Sequence, residues 1–363
     1  RLLESVSAAW RDQREAVVQQ GASVVEAVAG LTFSGGAGGE MTAEVLDAAA
    51  EAIEWYGLTE VGNFEGRSIL YRPVRGDLLR PPAIEDARAR LFTARASRAR
   101  PGLDDKVLTE WNALMLAALA EAGAALGRAD WVDAARATGD FLLASLRIDG
   151  GRWRRSWQRD GGARHDALAA DHAALVAAFL ALGEATGEAR WVAEAVAVAD
   201  TMLDHFWDAG PGGLHTTADD AEALVVRQKD LVDSATPSAN SLAAMALFQL
   251  SALTGEPRYR NHGDQILRLG AGLAAAAPSA FSYFLGAVDL RRASITEIAV
   301  AGARPDLVAA VQQRYLPDAV LAWGERFPSP LWDQRRDGFA YVCHDYACEA
   351  PTDTVDGLVA LLA

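Results

Sequence analysis

Three polar loop clusters contain the residues whose types and spacing could do chemistry. Each cluster precedes a long apolar segment, and each places one aspartate, Asp105, Asp171 or Asp233, just before that segment. Two carboxylates that face each other across a pocket are what acid–base chemistry on a sugar requires. We therefore expect Asp105, Asp171 and Asp233 to be the catalytic candidates, with helix capping as the alternative role.

The other polar and aromatic residues of these clusters are of types that bind sugars or anions. Cations and amides bind oxygen atoms, and an indole ring stacks on the apolar face of a sugar. The predicted binding residues are Asp104, Lys106, Trp111, Asn112, His172, Arg227, Lys229, Asp230, Ser238 and Asn240. The alternative is a salt-bridge network that ties the loops together, because unpaired buried charges are costly.

Lys106 and Lys229 are the only lysines among 34 basic residues. A biased codon usage explains the many arginines but not the positions of these two lysines. Each lies beside an aspartate, shortly before an apolar segment that opens at Asn112 or Asn240. Lysine is a compact point donor that the planar guanidinium does not replace. We expect the two lysines to converge at one mouth of the fold.

Composition excludes several classes of function. The 363 residues carry 49 acidic and 34 basic side chains, a net charge of −15, which disfavours binding to nucleic acids and to anionic membranes. The sequence shows no secretory signal, so the expected location is the cytoplasm. The Cys343–Cys348 spacing is not that of a redox pair, and we expect buried structural thiols. No metal motif and no phosphate-binding glycine loop is present, so no cofactor is expected.

A repeat places the three clusters in a common framework. Segments that open at Asn112, His172 and Asn240 align without gaps, and each reaches a glycine after 15 positions and an aromatic residue after 19. A nearly all-apolar helix, a glycine cap, a short turn and an amphipathic helix form each unit. A repeat of about 60 residues predicts an all-α fold, an α/α toroid of inner and outer helices; an open α-solenoid is the alternative. In such a fold the three clusters would line one mouth.

The rest of the chain adds smaller elements. Residues 150–157 and 210–217 are predicted to be short β-excursions, and 294–323 a small βα insertion followed by a strand over 338–343. Residues 2–29 are predicted to be helical, and the glycine-rich 34–39 to be a flexible break. The toroid is expected to span 1–363.

Long motifs carry a resemblance to a known family. The segments are RLFTARASRARPGLDDKVLTEWNALMLAALAEAG (90–123), RQKDLVDSATPSANSLAA (227–244), YVCHDYACEAP (341–351) and NFEGRSILYRP (63–73). They resemble thioredoxin-domain-containing proteins of the bacterial YyaL type and their mammalian spermatogenesis-associated homologue. The resemblance implies a six-hairpin glycosidase-like toroid, preceded in full-length members by a thioredoxin-like domain that is absent here. It also implies that an early toroid segment is missing, with a join near 35–55.

Two functions follow as expectations. The first is a sugar-directed enzyme that works by acid–base chemistry, of the N-acylglucosamine 2-epimerase or glycosidase kind, with a small sugar-like ligand as its partner. The second is a non-catalytic binding or scaffold module that serves the thioredoxin-like domain of the full-length protein. The resemblance leaves the choice open, because a fold alone does not define an activity.

Overall fold

The computed structural model describes residues 50–66, 68–74, 76, 79–100 and 102–362. The chain divides into two compact units, Arg1–Leu103 and Asp104–Ala363. In the first unit the described residues include a helical stretch over 50–55 and helix α1 (Pro82–Ala96). The predicted helix over 2–29 and break over 34–39, and most of the join predicted near 35–55, lie outside the described residues.

The second unit consists mainly of paired helices. In chain order they are α2 (Thr109–Ala125), α3 (Ala129–Ser145), α4 (Ala169–Thr186), α5 (Ala189–Phe206), α6 (Ala239–Thr254), α7 (Pro257–Ala276) and α8 (Ser282–Ala293). The even-numbered helices α2, α4, α6 and α8 lie side by side as an inner row, and α3, α5 and α7 pack behind them. Helices α4 and α6 are buried on nearly all sides, as their apolar sequences predict. None of the helices in the described ranges is long and apolar enough to cross a membrane.

Glycine ends two of the inner helices where the repeat predicted it. Gly187 and Gly255 cap α4 and α6 with φ of 68° and 78°, a left-handed conformation that costs glycine little. The aromatic residues that follow, Trp191 and Tyr259, are fully buried at the start of the outer helices. Because each unit is a tight hairpin, the inner helices α2, α4 and α6 run in the same direction and place their N-termini at the same end.

A small antiparallel sheet supports that end. Strands β1 (Val107–Leu108), β2 (Arg154–Gln158) and β3 (Gly162–Asp166) pair in the order β1-β2-β3. The Thr109 hydroxyl donates to the Arg154 carbonyl (2.6 Å), which ties the start of α2 to β2. The predicted excursion over 150–157 overlaps β2. Within the predicted excursion over 210–217 the structure has one antiparallel bridge, between Trp207 and Leu214.

A βα subunit follows the helices. It contains β4 (Thr296–Val300), α9 (Pro305–Gln312), β5 (Ala319–Trp323), β6 (Ala340–His344), β7 (Ala347–Cys348) and α10 (Val355–Leu361). The strand order is β5-β4-β6-β7, with β4 and β5 parallel and the other pairs antiparallel. The sheet therefore extends beyond the predicted 294–323. Strand β5 packs against α4 and α6, and the contacts to Glu184 and Gly187 place it at their C-terminal ends.

The expectation of two buried free thiols was wrong. Cys343 and Cys348 form a disulfide. The turn between β6 and β7 is only two residues long, and the antiparallel register sets Cys343 directly opposite Cys348. A C-x4-C spacing therefore places both sulfur atoms on one face of a tight hairpin.

Candidate functional site

Asp171 lies at the centre of the polar end of the inner helices. It is the third residue of α4 and is fully buried. Its carboxylate accepts hydrogen bonds from the backbone N–H of Leu168 (2.7 Å) and of Glu110 (3.0 Å), and it pairs with Arg155 Nη1 (3.0 Å). Burial raises the pKa of Asp171, against the hydrogen bonds and Arg155, which lower it. Asp171 therefore links the N-termini of α2 and α4 to strand β2.

Glu110, the second residue of α2, brings a second carboxylate to the same place. The residue is only 8% exposed, and its Oε2 lies 3.9 Å from Nη2 of Arg155. Burial is the largest cause that raises the pKa of Glu110, and repulsion by Asp171 and Asp230 adds to it; Arg155 and a hydrogen bond from Thr236 act in the opposite direction. Burial and the neighbouring carboxylates therefore favour the protonated form of Glu110, which is the form in which a glutamic acid acts as a general acid.

Asp230 supplies the third carboxylate, from the loop before α6. Its Oδ2 accepts a hydrogen bond from the backbone N–H of Ala239 (3.4 Å), at the first residue of that helix. Although Asp230 as a residue is exposed, burial of its carboxylate and repulsion from Asp233 raise its pKa. Glu110 and Asp171 thus come from the first turns of α2 and α4, with Arg155 as their ion-pair partner, and Asp230 reaches the N-terminus of α6 from the preceding loop.

Asp233, predicted to be catalytic, accepts hydrogen bonds at the starts of two helices. Its Oδ1 accepts from the backbone N–H of Ser238 (2.9 Å), and its Oδ2 accepts from those of Tyr283 (2.8 Å) and Phe284 (3.2 Å) at the start of α8. Ser238 in turn caps α6 by accepting from the Ser241 N–H. The capping alternative therefore describes the contacts of Asp233, and its carboxylate joins α6 to α8.

Three further predicted binding residues of the 227–240 loop brace the protein internally. The Lys229 ammonium pairs with Asp208 (2.8 Å) and donates to the Gly212 carbonyl (2.6 Å). Arg227 donates to the carbonyl groups of Thr217 and His205. Asn240 is fully buried; it bonds to both backbone groups of Leu214 and donates to the Asp230 carbonyl (2.7 Å), so it fixes the backbone that carries the Asp230 carboxylate.

The 104–106 cluster is exposed and has its own contacts. Lys106 pairs with Asp104 (3.2 Å), and Asp105 accepts a hydrogen bond from Gln158 (3.1 Å). Lys106 and Lys229 share no partner among the described contacts, because Lys106 pairs with Asp104 and Lys229 pairs with Asp208. The predicted convergence of the two lysines gains no support from these contacts.

Trp111, Asn112 and His172 take three different environments beside the carboxylates. Trp111 follows Glu110 and is 61% exposed, whereas Asn112 donates to the Leu108 carbonyl within the first turn of α2. His172 is buried against Phe206, and its Nδ1 bonds to the Leu168 carbonyl (2.9 Å). Burial lowers the pKa of His172 to about 4, so the imidazole is neutral at pH 7. Trp111 is therefore the member of this group that offers an open surface.

Glu110 and Arg155 are the site residues that the sequence interpretation missed. Glu110 has a signal: it is a charged residue at the head of a helix that is otherwise nearly all apolar, inside the quoted 90–123 motif. Arg155 has a weaker signal, because Arg154 and Arg155 are adjacent in β2 and only the pleat decides which of them points at Asp171.

One group among the described residues has the donor atoms for a metal ion: His205, Asp219 and Asp220. His205 Nδ1 already bonds to Asp219 (2.9 Å), and Arg152 already forms an ion pair with Asp220. Because a cation would have to displace Arg152, this exposed group is better described as a salt-bridge cluster.

Comparison with known proteins identifies a homologue. No model of a known protein family matches the chain. The human spermatogenesis-associated protein 20 is 29% identical over 355 residues, which cover 85% of this chain and 45% of that protein; the mouse protein is 29% identical over 322 residues, 79% of this chain and 40% of its own length. The chain is thus a distant homologue of spermatogenesis-associated protein 20 and spans less than half the length of these relatives.

Two solved structures are similar to parts of the chain. The cellobiose 2-epimerase of Spirochaeta thermophila is 19% identical, with a TM-score of 0.38 over 47% of this chain and 44% of that one. An unsaturated glucuronyl hydrolase specific for heparin is 15% identical, with a TM-score of 0.39 over 52% and 54% of the two chains.

Proposed function

We propose that this chain is the toroid part of an enzyme that performs acid–base chemistry on a sugar. The observation that carries the proposal is the meeting of Glu110, Asp171 and Asp230 at the N-termini of three successive inner helices, beside Arg155. The repeated inner and outer helices support an (α/α)6 arrangement of which α2 to α8 would be one part. Trp111, exposed beside Glu110, offers a surface on which a sugar face could stack.

The environments of the carboxylates divide their roles. Asp171 and Asp230 accept hydrogen bonds from backbone N–H groups. Glu110 is buried and none of the described backbone N–H groups donates to its carboxylate, so it is the proposed general acid. The Asp230 carboxylate belongs to a residue that is exposed and lies in a loop, and it is the proposed general base. Asp171 is a positioning residue: it holds Arg155 and the first turn of α2, and so fixes Glu110 relative to Asp230.

This pair of groups fits two related reactions. In an epimerisation the base would remove the proton from the carbon next to the carbonyl group of an open-chain sugar, and the acid would return a proton to the opposite face. In a glycoside hydrolysis the acid would protonate the leaving oxygen while the base activates water. Epimerisation is the first choice, since it needs only proton transfers between two carboxyl groups and a bound sugar.

The experiment uses the full chain with panels for both reactions. Deuterium uptake at C2 of aldoses and N-acylated aldoses in D2O, followed by NMR, reports proton abstraction, and release of the aryl group from nitrophenyl glycosides reports hydrolysis. We expect turnover in one panel and a loss of at least about 100-fold in kcat/KM for Glu110→Gln and Asp230→Asn.

Glu121→Gln is the matched control. Glu121 lies on the same helix, its pKa is also raised by burial, and it is about 16 Å further along the helix axis. We expect it to retain full activity. If Asp105→Asn lowers kcat/KM as much as Glu110→Gln does, then Asp105 is an acid–base residue, as the sequence predicts.

A second candidate function is a binding or scaffold module that serves a thioredoxin-like domain in the full-length protein. The observation that favours it is the internal use of Arg227, Lys229, Asp233 and Asn240, whose polar atoms bond to neighbouring loops and helices. Absence of turnover in both panels, together with retained binding of the thioredoxin-like domain by Glu110→Gln, would favour this function. The cytoplasmic location stays a prediction.

A further inference from the structure

The Cys343–Cys348 disulfide lies in the hairpin that contacts the C-terminal end of α6, and none of the residues assigned to the candidate site belongs to this hairpin. It joins β6 to β7 across a two-residue turn, and Asp345 and Tyr346 in that turn both have positive φ (48° and 63°), as a primed hairpin turn requires. Cys343 is fully buried, whereas Cys348 is partly exposed. An incoming thiol can therefore reach the sulfur of Cys348 more readily than that of Cys343.

An arginine side chain is placed against both sulfur atoms. Nη2 of Arg335 lies 2.8 Å from Sγ of Cys348 and 3.8 Å from Sγ of Cys343. Two other contacts fix this side chain: Nε donates to the Leu331 carbonyl (3.0 Å), and the guanidinium lies over the Tyr341 ring at 4.6 Å. No carboxylate of the described residues forms an ion pair with Arg335, so its charge acts on the sulfur atoms.

A fixed cation beside a sulfur atom changes its chemistry. Positive charge favours the thiolate over the thiol and lowers the cysteine pKa, and a better-stabilised thiolate is a better leaving group in thiol–disulfide exchange. A structural disulfide needs no such neighbour. We propose that Cys343 and Cys348 form a reversible thiol–disulfide site, with Cys348 as the entry sulfur and Arg335 as the residue that stabilises the thiolates, and that its reaction partner is a dithiol reductant.

The exchange proceeds in two balanced steps. A thiolate of the reductant attacks Sγ of Cys348, the Cys343–Cys348 bond breaks, and its electron pair leaves on Cys343 as a thiolate. The second thiolate of the reductant then attacks its own sulfur in the mixed disulfide and expels Cys348 as a thiolate beside Arg335. The reductant is oxidised to its disulfide, two electrons pass to the two cysteines, and the protons of the dithiol go to solvent or to the new thiolates.

The redox state would be transmitted to the helices through Tyr346. Its hydroxyl group donates to the carbonyl groups of Ser251 (2.7 Å) and Ala252 (3.1 Å) in the last turn of α6, and its backbone N–H donates to Glu297 (3.2 Å). Because the disulfide closes the hairpin that presents Tyr346, reduction should loosen this contact at the end of α6.

The test is a redox titration of the full chain in mixtures of reduced and oxidised dithiothreitol, with free thiols trapped by iodoacetamide and counted by mass spectrometry. At a pH above the pKa of the Cys348 thiol in both variants, we expect Arg335→Gln to require an about tenfold higher ratio of reduced to oxidised reagent at half-reduction, since loss of the cation raises the thiol pKa by about one unit. Arg335→Lys should restore most of the effect. Arg336→Gln is the matched control, because the Arg336 guanidinium lies over the Phe339 ring and should leave the midpoint unchanged.

A second measurement keeps the proposal testable if a variant folds poorly. In the reduced wild-type chain, the pH dependence of alkylation should give Cys348 a pKa below about 8.5, the value of a free cysteine. Equal midpoints for the wild type, Arg335→Gln and Arg336→Gln would overturn the role of Arg335. Trapping of the mixed disulfide on Cys343 instead of Cys348 would overturn the assigned order.

Discussion

The two ends of the inner helices use buried carboxyl groups in opposite ways. At the N-terminal end, Glu110 and Asp171 lie close enough for their carboxyl groups to repel each other, and both lie beside the Arg155 guanidinium. At the C-terminal end of α4, Glu184 is enclosed by the βα subunit: its carboxylate accepts from the Leu321 N–H (3.2 Å), and its carbonyl accepts from the Trp323 indole (2.6 Å). The pKa of Glu184 is raised to about 8, with burial as the largest cause.

The two ends therefore differ in how they stabilise a buried carboxyl group. Burial keeps Glu184 protonated at neutral pH. It lies at the C-terminal end of a helix, where negative charge is disfavoured, whereas the N-terminal end stabilises negative charge. No cation among the described residues forms an ion pair with Glu184, and its hydrogen bonds to the βα subunit hold that subunit in place. At the other end Trp111, which follows Glu110, is exposed, and Asp230 lies in a loop.

The largest effect on stability is expected at the polar end. Asp171→Ala leaves the N–H groups of Leu168 and Glu110 without their acceptor and removes the closest partner of Arg155. We expect the free energy of unfolding to fall by about 3 kcal/mol, as measured by urea denaturation. Asp105→Ala, at an exposed carboxylate, should change it by less than about 0.5 kcal/mol. Equal effects would mean that Asp171 does not link α2, α4 and β2.

A pair of glycines tests how tightly the other end is covered. Gly127 and Gly187 occupy the same position in two repeats and have similar φ (64° and 68°). A Cβ at Gly187 would lie 2.9 Å from the Trp323 side chain, whereas a Cβ at Gly127 meets nothing within 4 Å.

Gly127→Ala should therefore cost about 1 kcal/mol for the left-handed backbone alone. Gly187→Ala should cost about 2–3 kcal/mol, because Trp323 must also move. Thermal or urea unfolding of both variants measures the difference. If the two variants are equally stable, the βα subunit does not pack closely on α4.

The pH dependence of stability tests the enclosed state of Glu184. Because the pKa of Glu184 is higher in the folded state than in the unfolded state, the folded state holds an extra proton between about pH 4.5 and 8. Its contribution to stability is complete below about pH 4.5 and is lost as the pH rises to about 8. Urea unfolding at several pH values should therefore show the wild type losing stability relative to Glu184→Gln across this range. Parallel pH profiles would contradict the enclosed state of Glu184.

The repeat made the helical framework predictable. The roles of individual site residues were not predictable, because they depend on contacts between helices that are distant in sequence. The glycine and aromatic spacing predicted the hairpins, because a capped apolar helix followed by an amphipathic one has few other ways to bury its surface. The assignment of Asp233 was less secure, since the same aspartate can cap a helix or serve a ligand and only the position of α8 decides between them. Glu110 and Asp171 lie 61 residues apart, and the contact between them depends on the packing of α2 against α4.

The state of the cysteine pair could not be predicted although the two residues are close in sequence. A C-x4-C spacing alone does not distinguish two thiols from a disulfide, and the answer depends on a two-residue turn and its register. Nothing in the local sequence indicates that Arg335 lies against both sulfur atoms, because its orientation is set by Leu331 and Tyr341.

The most direct test of the acid–base pair is the titration of Glu110 itself. The 13C chemical shift of its side-chain carboxyl carbon, followed against pH in the wild type and in Asp230→Asn, gives the pKa and its dependence on the neighbouring charge. We predict a pKa above about 4.3, the ordinary value for glutamate, that falls in Asp230→Asn because repulsion from Asp230 is removed. A pKa at or below the ordinary value that does not change in Asp230→Asn would contradict the account.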